Sequence, residues 1–362
     1  MKIQRLFLGN VRNIKSLDLD FRDPITGKPM SRIVLAGANG SGKTTILENI
    51  FGLLEAIESQ KLQGLVNWDP VEASRLQLFF DVDFPDASHS LLTIRFGKDT
   101  DEERFSRFTN TSLVGEAKLG GKLGNYEGMI TSHPRPNTSR LYFEDLVEAV
   151  QKGKETGASS IGSIIYFPHT RYLPAVKMDK LDLVQPKYPW AYRYTPSDRW
   201  DESVEKYLFW LNYLDLEDRG KNIPANRFSQ ATELVNKILD GKRIARVEKG
   251  RVVIETKEGE THGLDDLSSG EKQLALLLID ISRRIVPHSV ILIDEPEISL
   301  HPAWQRGLVV ALDKIIEQYD AQVIMATHSP EIASMVLPHE VRFLSDLNAP
   351  PGEWKPEQEV VA

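Results

Sequence analysis

The chain has 362 residues, with 52 acidic against 44 basic side chains for a formal net charge of −8, and no cysteine. That length allows one large or two modest domains with a substantial core. The missing thiols exclude disulfides and thiolate metal sites, and the acidic balance argues against a surface that coats nucleic acid wholesale, though not against a local patch. No apolar stretch approaches the roughly 20 residues that span a bilayer, and the N-terminus opens a strand instead of a signal peptide, so a cytoplasmic protein with no membrane partner is expected.

Residues 1–97 read as strands around one helix. Apolar alternation predicts strands over Ile3–Leu8 and Ile14–Phe21, and later over Leu76–Phe84 and Leu91–Phe96. Between them the apolar run Ile33-Val34-Leu35-Ala36 leads into Gly37-Ala38-Asn39-Gly40-Ser41-Gly42-Lys43-Thr44, followed by a helical pattern from Thr44 to about Glu58. The spacing G-x-x-x-x-G-K-[ST] between a strand and a helix makes a phosphate cradle. Its glycines let the backbone of Asn39, Gly40, Ser41 and Gly42 curl, so that N–H groups and the helix start at Lys43, Thr44 and Thr45 face the phosphates. Lys43 reaches the β/γ oxygens and Thr44 offers its hydroxyl to Mg²⁺.

The pattern loosens over residues 98–162. Glycine and polar clusters from Gly115 to Gly128 and at Ser132-His133-Pro134-Arg135-Pro136 predict an irregular insertion with one amphipathic helix, from Ser139 to about Lys152. Residues 163–174 return to the core with a strand over Ser163–Phe167 and the turn Pro168-His169-Thr170-Arg171-Tyr172-Leu173-Pro174. A helical insertion is expected over 175–240, with helices Asp201–Leu216 and Phe228–Leu239. Neither insertion holds the sustained heptads of a coiled-coil arm.

Residues 241–345 form a second lobe. A hairpin, Arg243–Glu248 and Arg251–Thr256, precedes Leu267-Ser268-Ser269-Gly270-Glu271-Lys272-Gln273, which opens a helix with Leu274, Leu277, Leu278 and Ile281 on one face. The Ser-Ser-Gly-Glu sequence also fits an ordinary capping box. Val290-Ile291-Leu292-Ile293-Asp294-Glu295-Pro296 reads as a buried parallel strand delivering two acids at its C-terminal end. Asp294 is suited to hold Mg²⁺ through water and Glu295 to orient and polarise the attacking water, although acids also sit well at helix starts. A further apolar run, Gln322–Met325, leads into Ala326-Thr327-His328-Ser329-Pro330, and the last strand is expected over Glu340–Leu344, leaving 346–362 as a tail.

These motifs, in this order, resemble the ATP-binding-cassette ATPases, specifically the SMC, RecF and OLD-nuclease branch. The resemblance implies an α/β P-loop NTPase of ABC type, a two-lobed head with helical and irregular insertions and no long coiled coil. It implies that Ser268 and the backbone at Gly270 touch the γ-phosphate held by a second subunit, so that two copies sandwich ATP in a homodimer or a higher oligomer. Glu297-Ile298-Ser299-Leu300-His301-Pro302 resembles the loop that crosses this interface, His328 the switch histidine at the γ-phosphate, and Asn10-Val11-Arg12-Asn13-Ile14 the turn that brings an arginine, here Arg12, beside the nucleotide. Relatives carry a glutamine after the strand that ends here at Phe167. This chain has none, and His169 or Arg171 is left to fill the place, unless Pro168 and Pro174 simply make a rigid turn.

The resemblance further implies an ATPase of antiphage defence or DNA repair working with a protein effector such as a nuclease, a toxin or a retron-type component. The short stretch after Leu344 leaves no room for an appended nuclease domain, so a nuclease is expected to act in trans. A transporter's ATP-binding subunit is the rival that the Arg12 turn, the Ser268-Ser269-Gly270-Glu271 signature and the Leu300-His301-Pro302 loop oppose; a scaffold with negligible turnover is the rival that Glu295 opposes. DNA stays open as a ligand. Lys242, Arg243, Arg246, Lys249 and Arg251 cluster on the hairpin, and Lys177, Lys180, Lys187, Arg193 and Arg199 interleave with Tyr188, Trp190 and Tyr192. The acids Glu248, Glu255 and Glu258 between them favour a solvated face.

Overall fold

The computed structural model describes residues 1–59, 75–83, 89–96, 116–123, 126–132, 142–156, 161–176, 189–197, 199, 202–239 and 241–344. In chain order the strands are β1 (Lys2–Val11), β2 (Ile14–Asp20), β3 (Arg32–Ala36), β4 (Arg75–Asp83), β5 (His89–Phe96), β6 (Glu116–Leu123), β7 (Tyr126–Ser132), β8 (Ile164–Phe167), β9 (Ala191–Arg193), β10 (Lys242–Glu248), β11 (Arg251–Thr256), β12 (Thr261–His262), β13 (Val290–Asp294), β14 (Gln322–Thr327) and β15 (Val341–Phe343). The helices are α1 (Lys43–Ser59), α2 (Tyr142–Thr156), α3 (Val204–Gly220), α4 (Arg227–Ile238), α5 (Ser269–Arg284), α6 (Pro302–Tyr319) and α7 (Pro330–Ser334).

Two sheets carry the fold. One runs β15-β3-β14-β13-β8-β9, with every pairing parallel. The other runs β2-β1-β4-β5-β7-β6 and is antiparallel throughout. A parallel strand covered on both faces must be apolar at every position, and period-two alternation then sends its side chains into two separate cores. That happens here. Ile33, Leu35, Ile164, Tyr166, Val290, Leu292, Ile324 and Ala326 join the core shared with α1 and the antiparallel sheet. Val34, Ala36, Ile165, Phe167, Ile291, Ile293, Val323 and Met325 join the core under α3, α4, α5 and α6.

A buried glutamine ties the two sheets together. Gln322, fully buried at the start of β14, accepts from Ile3 N–H at 2.7 Å and donates to Ile3 O at 2.9 Å and Met30 O at 2.8 Å.

The region expected to be irregular contains β6 and β7, which pair with each other and extend the antiparallel sheet from β5. Their glycine-rich sequence carries little strand propensity, and pairing to an existing edge supplies what propensity lacks. Strand β9 and helix α6 lie beyond the sequence expectations as well; β9 has only three residues, and α6 begins at Pro302 in the position where proline starts a helix. Lys177, Lys180, Lys187, Tyr188, the Pro134-Arg135-Pro136 stretch and the tail 346–362 lie outside the described residues. Among the described residues no helix is long and apolar enough to cross a membrane.

Candidate nucleotide site

In a parallel sheet all strands end on one edge, and ligands gather there. Registers set Asp294 level with Ala326, and Thr327 level with Ala36. The phosphate loop after β3, the acids ending β13 and His328 after β14 therefore stand side by side, with the turn after β8 next to them. Gly40 and Gly42 have φ of +78° and +88°, the left-handed region that favours glycine, and they curl the loop into α1.

Lys43 is 5% exposed, and its Nζ donates to Gly37 O at 2.8 Å, Ala38 O at 2.9 Å and Ser41 Oγ at 3.3 Å. A fourth contact, at 3.3 Å, reaches His328 Nδ1. Burial holds the lysine below its usual pKa, against the pull of the carboxylates of Glu295, Asp294 and Glu297. Thr44 Oγ1 donates to Asp294 Oδ2 at 2.8 Å, and His169 Nδ1 lies 3.2 Å from the same oxygen. Asp294 is completely buried, and its Oδ1 has no hydrogen-bond partner. Burial raises its pKa, countered by the hydrogen bonds from Thr44 and His169. An orphaned carboxylate oxygen beside a threonine hydroxyl and a lysine fits a cation with a phosphate chain.

Glu295 has a φ of 48°, its N–H donates to Ala326 O at 2.8 Å, and its Oε1 meets His328 Nε2 at 3.2 Å. The neighbouring Glu297 accepts the backbone N–H of His328 through Oε1 at 2.6 Å, while its Oε2 is buried without a partner. Arg171 is 3% exposed. It donates to the backbone oxygens of Asp294, Pro168 and Glu295, and its own carbonyl accepts from Gln273 Nε2 at 2.8 Å. His169 and Arg171 both sit against the acidic strand, the histidine at the carboxylate and the arginine at the backbone.

At the rim, Arg12 contacts Thr45 Oγ1 at 3.3 Å and Glu48 at 3.2 Å, in a turn whose Asn13 side chain donates to Gly40 O at 2.8 Å. Ala38, Asn39 and Gly40 are exposed and Ser41 and Gly42 half-buried. Asn13 was missed by sequence reasoning, although it lies in the five-residue turn singled out for Arg12.

The signature segment opens the helix α5. Ser268 Oγ accepts from Glu271 N–H at 3.4 Å, Glu271 Oε2 accepts from Ser268 N–H at 2.8 Å, and Lys242 pairs with Glu271 at 3.0 Å. The capping box is thus formed, and the exposed Ser268 starts α5. Gly270 faces inward: a Cβ there would lie 2.4 Å from Ser299 O and 3.1 Å from Trp304. Among the described residues neither Ser268 nor Gly270 hydrogen-bonds the phosphate loop of the same chain.

Among the described residues, five arginines of these basic stretches are in ion pairs. Arg243 meets Glu255, Arg246 meets Glu248, Arg251 meets Glu205 and Asp265, Arg193 meets Glu48, and Arg199 meets Glu202. Trp190 is buried, and Tyr192 lies under the Arg284 guanidinium at 3.3 Å. Those two rings are engaged in packing, not offered to bases.

Residues 194–334 match the family model described as "AAA domain, putative AbiEii toxin, Type IV TA system". The chain is 32% identical over 103 residues to "Retron Vc95 probable ATPase" of Vibrio cholerae, an overlap of 25% of this chain and 20% of that protein. Over 94% of its length, and 74% of the relative's, it is 21% identical to "Septu protein PtuA" of Bacillus thuringiensis. A solved SMC head bound to the C-winged helix domain of ScpA superposes over 92% of both chains, with a TM-score of 0.47 and 14% identity. The chain thus spans about a fifth of the first curated relative it matches. The motif order on this parallel sheet and the likeness to these ATPases agree, and the chain resembles the SMC/RecF-like branch of the ABC-type ATPases.

Proposed function

We propose that the chain binds ATP with Mg²⁺, closes into a dimer around it and hydrolyses it. The observation that carries this reading is the convergence of Lys43, Thr44, Asp294, Glu295 and His328 at one sheet edge, while Ser268 is exposed and bonded within its own capping box. Each site then joins the phosphate loop of one subunit to the signature of another. Lys43 exchanges its loop carbonyls for β/γ oxygens, and backbone N–H groups from Asn39 to Thr45 surround the phosphates. Thr44 Oγ1 and Asp294 are the residues that would hold Mg²⁺, which supplies charge neutralisation across the phosphates when bound. Glu295 accepts the proton of the attacking water, and His328 fixes the direction of its carboxylate. Arg12 sits where it can steady the loop's first helical turn through Thr45.

Closure is a two-state element, since ATP bridges the subunits and ADP lacks the phosphate that the signature would contact. The names of a retron ATPase and a Septu protein among the relatives support a defence role in which an effector protein reads that state. The hairpin ion pairs give no support to DNA as the ligand.

Calorimetry and light scattering test this. Wild type is expected to bind ATP and to grow to a dimer or larger with it. Lys43→Ala is expected to lose affinity about 10- to 100-fold, the worth of a charge-assisted hydrogen bond. Unchanged affinity in that variant overturns the site. Glu295→Gln, as bait in a pull-down from the native host with ATP, is expected to retain the effector; recovery of the same proteins with and without ATP argues against a state-dependent partner.

A further inference from the structure

We propose that Arg171 is a positioning residue for Glu295, and that Gln273 makes the signature helix felt at that carboxylate. Arg171 directs its donors at main-chain oxygens: Nη1 to Asp294 O and Pro168 O, and Nη2 to Glu295 O. Asp294 and Glu295 are thereby oriented while their carboxylates stay available, one to Thr44 and the other to His328. Glu295 needs such a hold. Its φ of 48° lies in the left-handed region, which costs a non-glycine residue free energy and persists only where surroundings enforce it. One side of the enforcement is the Glu295 N–H bond to Ala326 O; the other is the guanidinium.

A buried arginine is an expensive clamp. Arg171 is 3% exposed, and burial lowers its pKa to about 10, so it stays protonated at neutral pH. Two backbone carbonyls side by side are what a planar fork of fixed donors recognises, and an apolar residue of similar volume would take a donor from each, leaving Glu295 O with the Ile298 N–H.

Gln273 adds the coupling. It is 7% exposed, lies in α5 five residues after the N-cap Ser268, and donates to Arg171 O at 2.8 Å. A shift of α5, which carries the signature, is therefore transmitted through two consecutive links to the backbone of Glu295, without passing through the nucleotide. The inference rests on the proposed hydrolysis only where turnover is measured.

Two independent measurements test it. In nucleotide-free protein, amide exchange needs no ATPase activity. Gln273→Leu and Arg171→Met are each expected to raise exchange at Glu295 and Ile298, whose N–H groups bond Ala326 O and Glu295 O, by about fivefold or more, with α6 unchanged. In turnover, both are expected to keep ATP affinity within about twofold while kcat falls about tenfold, with partial recovery in Arg171→Lys. The double variant Arg171→Met/Gln273→Leu is expected to be no slower than Arg171→Met alone, as for groups acting in one chain. Additive losses, or exchange at Glu295 that neither substitution moves, overturn the coupling. Should Arg171→Met not fold, Gln273→Leu carries the test alone. A wild type without turnover whose Glu295 amide still responds to Gln273→Leu counts against hydrolysis and for the positioning.

Discussion

Glu295 and His328 face each other at 3.2 Å, and the third party to that contact decides the direction of the bond. Lys43 Nζ lies 3.3 Å from His328 Nδ1. An ammonium can only donate, so Nδ1 accepts, and the proton of a neutral ring sits on Nε2 and is donated to Glu295. The imidazole thus passes the orientation of the phosphate-loop lysine to the carboxylate proposed to receive the water's proton. Glu295→Gln keeps the shape and loses the base; it is expected to bind ATP, remain dimeric by light scattering and release phosphate at least about 100-fold more slowly. Wild-type phosphate release in this variant removes Glu295 from the role.

Asp294 links function to stability with a definite sign. Its folded pKa lies above the ordinary carboxylate value because burial disfavours the charge. A raised pKa means that the folded state binds the proton more tightly, so this group's contribution to stability is present at acid pH and lost as pH rises through the folded pKa. Asp294→Asn keeps an acceptor for Thr44 and carries no charge. Nucleotide-free, it is expected to melt a few degrees above wild type at pH 7, with the gap closing below about pH 4, and to lose Mg²⁺-dependent turnover. A gap that widens toward acid pH contradicts the sign.

How far the sequence reveals the site depends on how local each piece is. The phosphate loop, Asp294, Glu295 and His328 each announce themselves through an apolar run and a following motif, because a parallel strand writes both its burial and its functional end into contiguous residues. Arg171 could be named but not assigned, since its partners at 294 and 295 come from another strand. Ser268 was legible as both signature and cap, and the capping box is visible in one chain whereas a partner-facing role needs two. β6 and β7 were illegible, being strands by virtue of the edge they extend. Gln322 looked like the polar start of an apolar run; nothing in its neighbourhood reveals that its amide serves residues some 300 positions earlier.

That glutamine should therefore matter more than a single polar residue at a strand start. Gln322→Leu leaves Ile3 N–H, Ile3 O and Met30 O without their side-chain partner in a buried setting. At about 1–3 kcal/mol for each buried group left unsatisfied, the loss is expected to be about 3 kcal/mol or more. Urea unfolding of the nucleotide-free protein measures it. A change below about 1 kcal/mol shows that water or the backbone repairs the gap and that the amide is not the clasp between the sheets.

The proposed trans arrangement yields a complementation test, which the capping box refines. Replacing Ser268 by a bulky residue would both block a phosphate contact and uncap α5, and loss of a cap alone costs about 1 kcal/mol. Ser268→Asp separates the two effects: aspartate caps a helix as well as serine does, but its carboxylate repels the γ-phosphate of the facing subunit. Ser268→Asp subunits and Lys43→Ala subunits are each expected to be inactive and normally folded. Mixed, they form heterodimers in which one site carries both defects and the other neither, so that phosphate release is expected to return to as much as about a quarter of wild type when a single intact site can turn over and subunits pair at random. Crosslinking shows whether heterodimers form. If they form and activity stays absent, either the two sites fire only together or Ser268 does not act across the interface. Fusing two copies into one chain decides between these: with both defects in one half and the other half wild type, each site carries one defect if the contact is in trans, and one site stays intact if it is in cis. Turnover by that fusion therefore refutes the trans contact.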